Sequence, residues 1–254
     1  MICIADLLIE WDDDRRSFIK DFVADSYGTP VMRIDFRRSL PECHSVKYTD
    51  RLSDRFLCAD NGGFLFANKD WSEATSYLLP ESNSDYTLPL AAICSRLSYY
   101  NALLAHSSFV IYRGKGIVFT GYSGVGKTTQ AELWAEYMDA EIVNGDKVLL
   151  RETDGSFYAY GLPWKGSSEY CLNRKAEISG VVVLRQAESN RITRLNEEAT
   201  EFFMPHIFLP HWDKECLGSA LDTFDKLISN VPVYLLECRP DEEAVEITKT
   251  AVFG

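Results

Sequence analysis

The stretch Gly116–Trp134, GIVFTGYSGVGKTTQAELW, restricts the fold more than any other part of this 254-residue chain. Gly121, four intervening residues and then Gly126-Lys127-Thr128 form the pattern G-x-x-x-x-G-K-T. In that pattern a glycine loop joins a strand to a helix and cradles phosphate. Consecutive backbone N–H groups curl into an anion nest at the positive end of the helix dipole. GIVFT reads as the strand and TTQAELWAEYM as the helix. The pattern implies a mixed α/β fold, with Gly121, Ser123, Gly124, Val125, Gly126, Lys127, Thr128 and Thr129 as candidate phosphate-binding residues. Lys127 adds a point charge for the terminal phosphates, and the Thr128 hydroxyl is a candidate ligand for Mg²⁺.

Residues beyond the loop sort between classes of nucleotide-binding protein. A guanine-reading NKxD is missing, because the nearest text, LNRKAE, lacks the aspartate. No signature glycine motif of a transporter ATPase is found, and no apolar strand ends in Asp-Glu. Instead, EIVNGDKVLL places Asp146 at the end of a short apolar strand, expected beside the loop in a parallel arrangement. A carboxylate there can hold Mg²⁺ directly or through water; the plainer alternative is a turn residue after Gly145. Upstream, His106 opens a hairpin, HSSFVIY–RGKG–GIVFT, that runs into the loop. That puts it on the edge of the same sheet, as either a structural or a functional histidine.

The rest of the chain sets outer bounds. Its net charge of -12 argues against a nucleic-acid backbone or an anionic membrane surface as the main partner. Seven scattered cysteines, with no CxxC pair, suit neither zinc nor a disulfide framework and point to a reducing compartment. The start, MICIADLLIEWDDDRR, lacks a basic region and does not read as a signal peptide. No apolar run reaches the ~18–20 residues of a membrane span, so a cytoplasmic location is expected.

Residues 1–105 read as a β-rich portion: ICIADLLIEW, PVMRIDF, SVKYT and a hairpin about the NGG of 61–63. A helix over PLAAICSRLSYYNALLA, 89–105, is expected to bridge to residues 106–254. There AEIVNGDKVLL reads as one strand, ISGVVVLRQ as a buried strand, and helices are expected near 197–204 and 213–229. VPVYLLEC reads as the last strand, followed by a charged cap. WDDDRR at 11–16 reads as a solvated face. His206, His211 and Asp213 could pair on a metal, but the intervening proline breaks any helix that would align them.

The run from His106 through Asp146 resembles the catalytic domain of HPr kinase/phosphorylase, a relative of ATP-dependent phosphoenolpyruvate carboxykinase. The matching residues are His106, the turn Gly114–Gly116, GYSGVGKT at Gly121–Thr128 and NGD at Asn144–Asp146. The resemblance implies ATP with Mg²⁺, and transfer of the γ-phosphate to a hydroxyl. Lys127 would bind phosphate, Thr128 and Asp146 the metal, and His106 would support the general base. Gly145 stands where the family has its first aspartate, the expected base. Asp146 then does both jobs, or Glu141 or Glu169 steps in, or chemistry is impaired. The family's phosphorolysis signature is not evident. In its place YGLPWKGSSEY, 160–170, offers Lys165 for developing charge and Trp164 as a cover or a core residue. The expected function is therefore an ATP-dependent kinase acting on Ser or Thr of a peptide or protein. Proteins of this smaller, divergent type resemble kinases found with peptide natural-product or modification pathways, which points to a precursor peptide. The alternatives are a nucleotide-sensing module without transfer activity and a small-molecule kinase. Oligomeric state stays open, a homo-oligomer included.

Overall fold

The computed structural model describes residues 1–13, 19–25, 28–38, 54–59, 63–77 and 87–254. The chain is mixed α/β and divides into two compact units, Met1–Tyr99 and Tyr100–Gly254. No helix among the described residues is long and apolar enough to cross a membrane.

In the first unit, β1 (Ile2–Ile4) and β2 (Leu7–Asp12) form a tight hairpin. β3 (Met32–Arg37), β4 (Arg55–Cys58), β5 (Phe64–Ala67) and β6 (Glu73–Tyr77) complete a sheet of order β1-β2-β3-β6-β5-β4. β2, β3 and β6 run parallel, and the other pairs are antiparallel. The expected NGG hairpin lies between β4 and β5, but Asn61 and Gly62, like SVKYT and Asp14–Arg16, fall outside the described residues.

α1 (Thr87–Ser98) is shorter than the sequence suggests. The expected helix stops at Ser98, and Ala102–Ala105 already belong to a strand. Asn101 takes a left-handed conformation (φ 54) that ends helical continuation. The ALLA run then pairs across a sheet, a choice that apolar periodicity alone does not distinguish from helix. Arg96 ties α1 to its unit, donating from Nε to the Val31 carbonyl oxygen (2.8 Å) and from Nη1 to Asp70 (3.0 Å).

The second unit is built on β7 (Ala102–Tyr112) and β8 (Lys115–Thr120), an antiparallel hairpin that leads into the glycine loop. After α2 (Lys127–Met138) come β9 (Glu141–Asn144), β10 (Lys147–Thr153), β11 (Ser156–Gly161) and β12 (Lys175–Gln186). β13 (Arg191–Leu195), α3 (Ala199–Phe203), β14 (Ile207–Phe208), α4 (Lys214–Asn230), β15 (Val233–Cys238) and α5 (Glu242–Phe253) complete the unit. The main order is β11-β10-β7-β8-β12-β15-β13, and β11 also pairs with the start of β12, closing part of the sheet on itself.

β8, β12 and β15 run parallel and are buried on both faces, which explains their unbroken apolar sequences. Val118, Val181 and Val183 join Phe203, Phe224 and Leu227 of α3 and α4 on one face. Ile117, Phe119 and Val182 join Trp134 of α2 and Val245 of α5 on the other. Successive side chains of a strand alternate in this way between the two helical layers.

Two further elements differ from expectation. AEIVNGDKVLL is two strands, because the Asn144 Oδ1 accepts from the amides of Asp146 (2.9 Å) and Lys147 (3.1 Å) and turns the chain. The charged tail is a helix, α5, started by Asp241, whose Oδ1 accepts from the Ala244 amide. β13 is an element that the sequence reading does not anticipate.

Asp213 starts α4 in the same way, its buried Oδ1 accepting from the Glu215 (2.9 Å) and Cys216 (3.2 Å) amides. Asp213→Ala should cost about 1–2 kcal/mol through loss of this cap. Urea unfolding would show it as a lower midpoint at an unchanged slope; an unchanged midpoint would contradict the capping role.

Candidate functional site

The glycine loop holds its shape through residues that only glycine occupies readily. Gly121, Gly124 and Gly126 have φ of 144, 78 and 109. Gly126 is the N-cap of α2, and among the described residues no side chain caps the helix there. Its first N–H groups are the orphan donors of any helix start and lie at its positive end. Ser123 sits in the loop, the Val125 amide closes a turn on the Tyr122 carbonyl (3.2 Å), and Thr129 lies in the first turn of α2.

Lys127 is buried, 7% exposed, beneath this loop. Its ammonium donates to the carbonyl oxygens of Gly121 (3.0 Å) and Tyr122 (3.2 Å). Two carbonyls are a poor substitute for water around a cation with three donors. Burial therefore pushes its pKa down, against a smaller opposing pull from Asp146. A helix start without a cap and a poorly solvated cation together make a site that an incoming anion stabilises.

Strand pairing brings the other groups to this point. β9 and β10 lie along one edge of β7, in place of the expected position beside β8, so β7 stands between Asp146 and the loop strand. β9 still runs in the direction of β8, since both are antiparallel to β7. Both chains therefore end at the same rim of the sheet. His106 lies opposite Lys147 across the β7–β10 pair. The Ser107 amide donates to the Asp146 carbonyl oxygen (3.0 Å), keeping the pairing in step across the turn.

The Asp146 carboxylate is held between these two cross-strand neighbours. His106 Nδ1 stands 3.2 Å from Oδ1, and the Lys147 ammonium contacts Oδ2. The hydrogen bond with His106 is the main cause that brings its pKa down to about 2; Lys147 adds to it and burial opposes it. Thr128 Oγ1 donates to the Gly145 carbonyl oxygen at 3.3 Å, which fixes the start of α2 against the same turn.

Of the remaining candidates, Glu141 lies at the far end of β9, opposite Ile111, and pairs with Arg174 at 3.3 Å. The strand rises about 3.3 Å per residue, which takes Glu141 away from the turn. Lys165 is exposed and donates to the Glu169 carbonyl oxygen (3.4 Å), within a turn that also carries the half-buried Trp164. Asp213 is a helix cap. Among the described residues no three His, Cys, Asp or Glu side chains gather as a metal cluster.

Two clefts flank Tyr122 and Ser123. One, of about 540 Å³, runs along Gly124, Arg185, Gln186 and Phe202. The other, of about 350 Å³, is lined by His106, Lys147, Ile207 and Phe208. His206 borders both, with its ring edge-to-face against Tyr122 at 5.0 Å. Burial, then the charges of Lys127 and His106, push the His206 pKa down. Lys147, and His206 at this place, are the neighbours that sequence reasoning missed. The only hint of Lys147 is that it comes directly after Asp146 in NGDK.

The depressed pKa of Asp146 has a testable consequence. The fold favours the ionised form, so the stabilisation is complete above pH ~4 and is lost as pH falls from there towards 2. Wild type should exceed Asp146→Asn in stability near neutral pH, and the gap should narrow over that acid window. Denaturant unfolding at several pH values would show it. A gap that stayed constant down to pH 2 would mean the carboxyl is not held by these neighbours.

The chain matches no family model and no curated protein. Among solved structures it resembles the Hpr(Ser) kinase/phosphatase from Coxiella burnetii at 12% identity, over 58% of this chain and 91% of that one, with a TM-score of 0.35. That is a distant likeness of fold and nothing finer.

Proposed function

We propose that the chain is an ATP-dependent kinase that transfers the γ-phosphate to a serine or threonine hydroxyl of a peptide or protein. The observation that supports this best is the pairing of His106 with Asp146 at the rim where the glycine loop opens. A module that only bound nucleotide would need the loop and Lys127. It could use the carboxylate for the metal, but it would have no use for an imidazole paired with it beside an open cleft.

The residues divide the labour by their chemistry. The loop amides and Lys127 bind and neutralise the terminal phosphates. Thr128 and Asp146 are the hard oxygen donors that would hold Mg²⁺, which shares its shell with phosphate oxygens and water. When bound, it neutralises charge on the β- and γ-phosphate oxygens. The wider cleft, where the Arg185 guanidinium lies 5.3 Å from the Phe202 ring centre, offers a flat wall for the nucleoside. The narrower cleft admits the acceptor.

A carboxyl whose pKa is about 2 is a poor proton acceptor at neutral pH. We therefore give Asp146 the roles of charge and orientation. With Nδ1 turned to Asp146, the other ring nitrogen of His106 is left to take the acceptor proton. The order implied by the resemblance, with His106 supporting a carboxylate base such as Asp146, is reversed in this reading.

With γ-labelled ATP and a pool of serine-containing peptides, label should appear in an acid-stable phosphate ester. Lys127→Ala should abolish the calorimetric signal of MgATP binding. Asp146→Asn should leave nucleotide affinity within about threefold but slow single-turnover transfer about 10²–10⁴-fold. Unchanged ATP affinity in the Lys127 variant would remove the site. Release of phosphate to water alone, with no labelled peptide, would contradict the kinase reading.

A further inference from the structure

Gly145 adjoins an occupied space. A methyl carbon added there would lie 2.2 Å from the Ser168 Oγ and 2.7 Å from its Cβ, with the Thr128 Oγ1 at 3.7 Å. Ser168 therefore fills the place that a side chain at 145 would take, and the Thr128 hydroxyl borders the same place. The turn that delivers it rests directly on the site. Gly166, at φ 57, approaches so closely that an added carbon would meet the Asp146 carboxylate at 2.7 Å. Both ends of the turn are tied to β9. Asn144 Nδ2 donates to the Leu162 carbonyl oxygen (2.8 Å), and the Leu172 amide donates to the Val143 carbonyl oxygen (2.9 Å).

The Ser168 hydroxyl oxygen accepts from the Tyr170 amide (3.2 Å), while the Ser168 amide closes on the Lys165 carbonyl oxygen (3.0 Å). Its orientation is thus fixed from its own backbone. A hydroxyl oxygen has two lone pairs and one proton, so among the described residues one lone pair and the proton remain for a further partner.

We propose that Ser168 is the positioning residue for the acceptor hydroxyl, delivered by the 163–170 turn into the space beside Gly145. Gly145 is then the seat of this group, and an empty position there is a requirement of the site. The inference rests on the kinase reading and adds the group that holds the acceptor at Asp146.

The test uses the full chain, γ-labelled ATP and the serine-peptide pool under single turnover. Ser168→Ala keeps the Cβ packing and removes only the hydroxyl. It should slow transfer about 10- to 100-fold, the scale of lost positioning, with ATP affinity within about twofold. Gly145→Ala alone should lower the melting midpoint through its clash with Ser168, and adding Ser168→Gly should restore it. The decisive variant is the exchange, Gly145→Ser with Ser168→Gly, which returns a hydroxyl to the same space from the opposite chain. It should transfer at least several-fold faster than Ser168→Gly.

A Ser168→Ala rate within threefold of wild type overturns the proposal and leaves the kinase reading intact. So does a folded exchange variant no faster than Ser168→Gly. If the exchange variant fails to melt cooperatively, Ser168→Ala decides alone. A wild type that labels no peptide overturns both.

Discussion

The hydrogen bond from the Ser107 amide to the Asp146 carbonyl oxygen holds the site together, because it carries the β7 pairing across a break in the opposite strand. On one side of the break β9 pairs with Phe109–Ile111, and on the other β10 pairs with Ala102–His106. A one-residue slip of either segment would turn its side chains to the wrong face of the sheet. His106 and Lys147 would then no longer flank Asp146. The site thus depends on register before it depends on any side chain. Asn144 enforces that register, since its buried amide group shapes the turn with Oδ1 and anchors Leu162 with Nδ2.

Electrostatically the two halves of the site are arranged in opposite ways. Lys127 is a cation kept from water, with only carbonyl oxygens in hydrogen-bond contact among the described residues. The fold holds it at a cost that a bound anion relieves. Asp146 is an anion with a partner on each oxygen, so the fold holds it charged. The first half is built to receive negative charge and the second to stay ionised beside it. This asymmetry suits the proposed phosphoryl transfer, in which charge moves between fixed groups.

The elements legible in the sequence are those with local signatures. The β7–β8 hairpin, the glycine loop and α2 stand together in one run of chain, marked by an apolar run that leads into the G-x-x-x-x-G-K-T pattern. The place of Asp146 is legible only in part. Its strand can be seen, but the neighbour across the sheet cannot, because β7 and β9 meet through pairing that leaves no local mark. Ser168 is hidden for the same reason. It lies far along the chain from Gly145, and nothing local to either residue signals that a missing side chain is replaced from elsewhere. α1 reads as too long because ALLA suits either a buried helix or a buried strand. α5 escapes notice because a charged first turn resembles a solvated end, although Asp241 before Glu242 and Glu243 is a usual helix start.

The coupling of His106 to Asp146 is the centre of this account, and a double-mutant cycle on single-turnover transfer measures it. His106→Ala, Asp146→Asn and the double variant are compared with wild type at one pH, with ATP saturating. If Asp146 acts by holding Nδ1 of His106 so that the other ring nitrogen takes the proton, the second substitution removes a function already broken, and the double variant should be little slower than the slower single one. If the two losses multiply, the 3.2 Å contact is a structural neighbour pair and the proposed proton path is wrong.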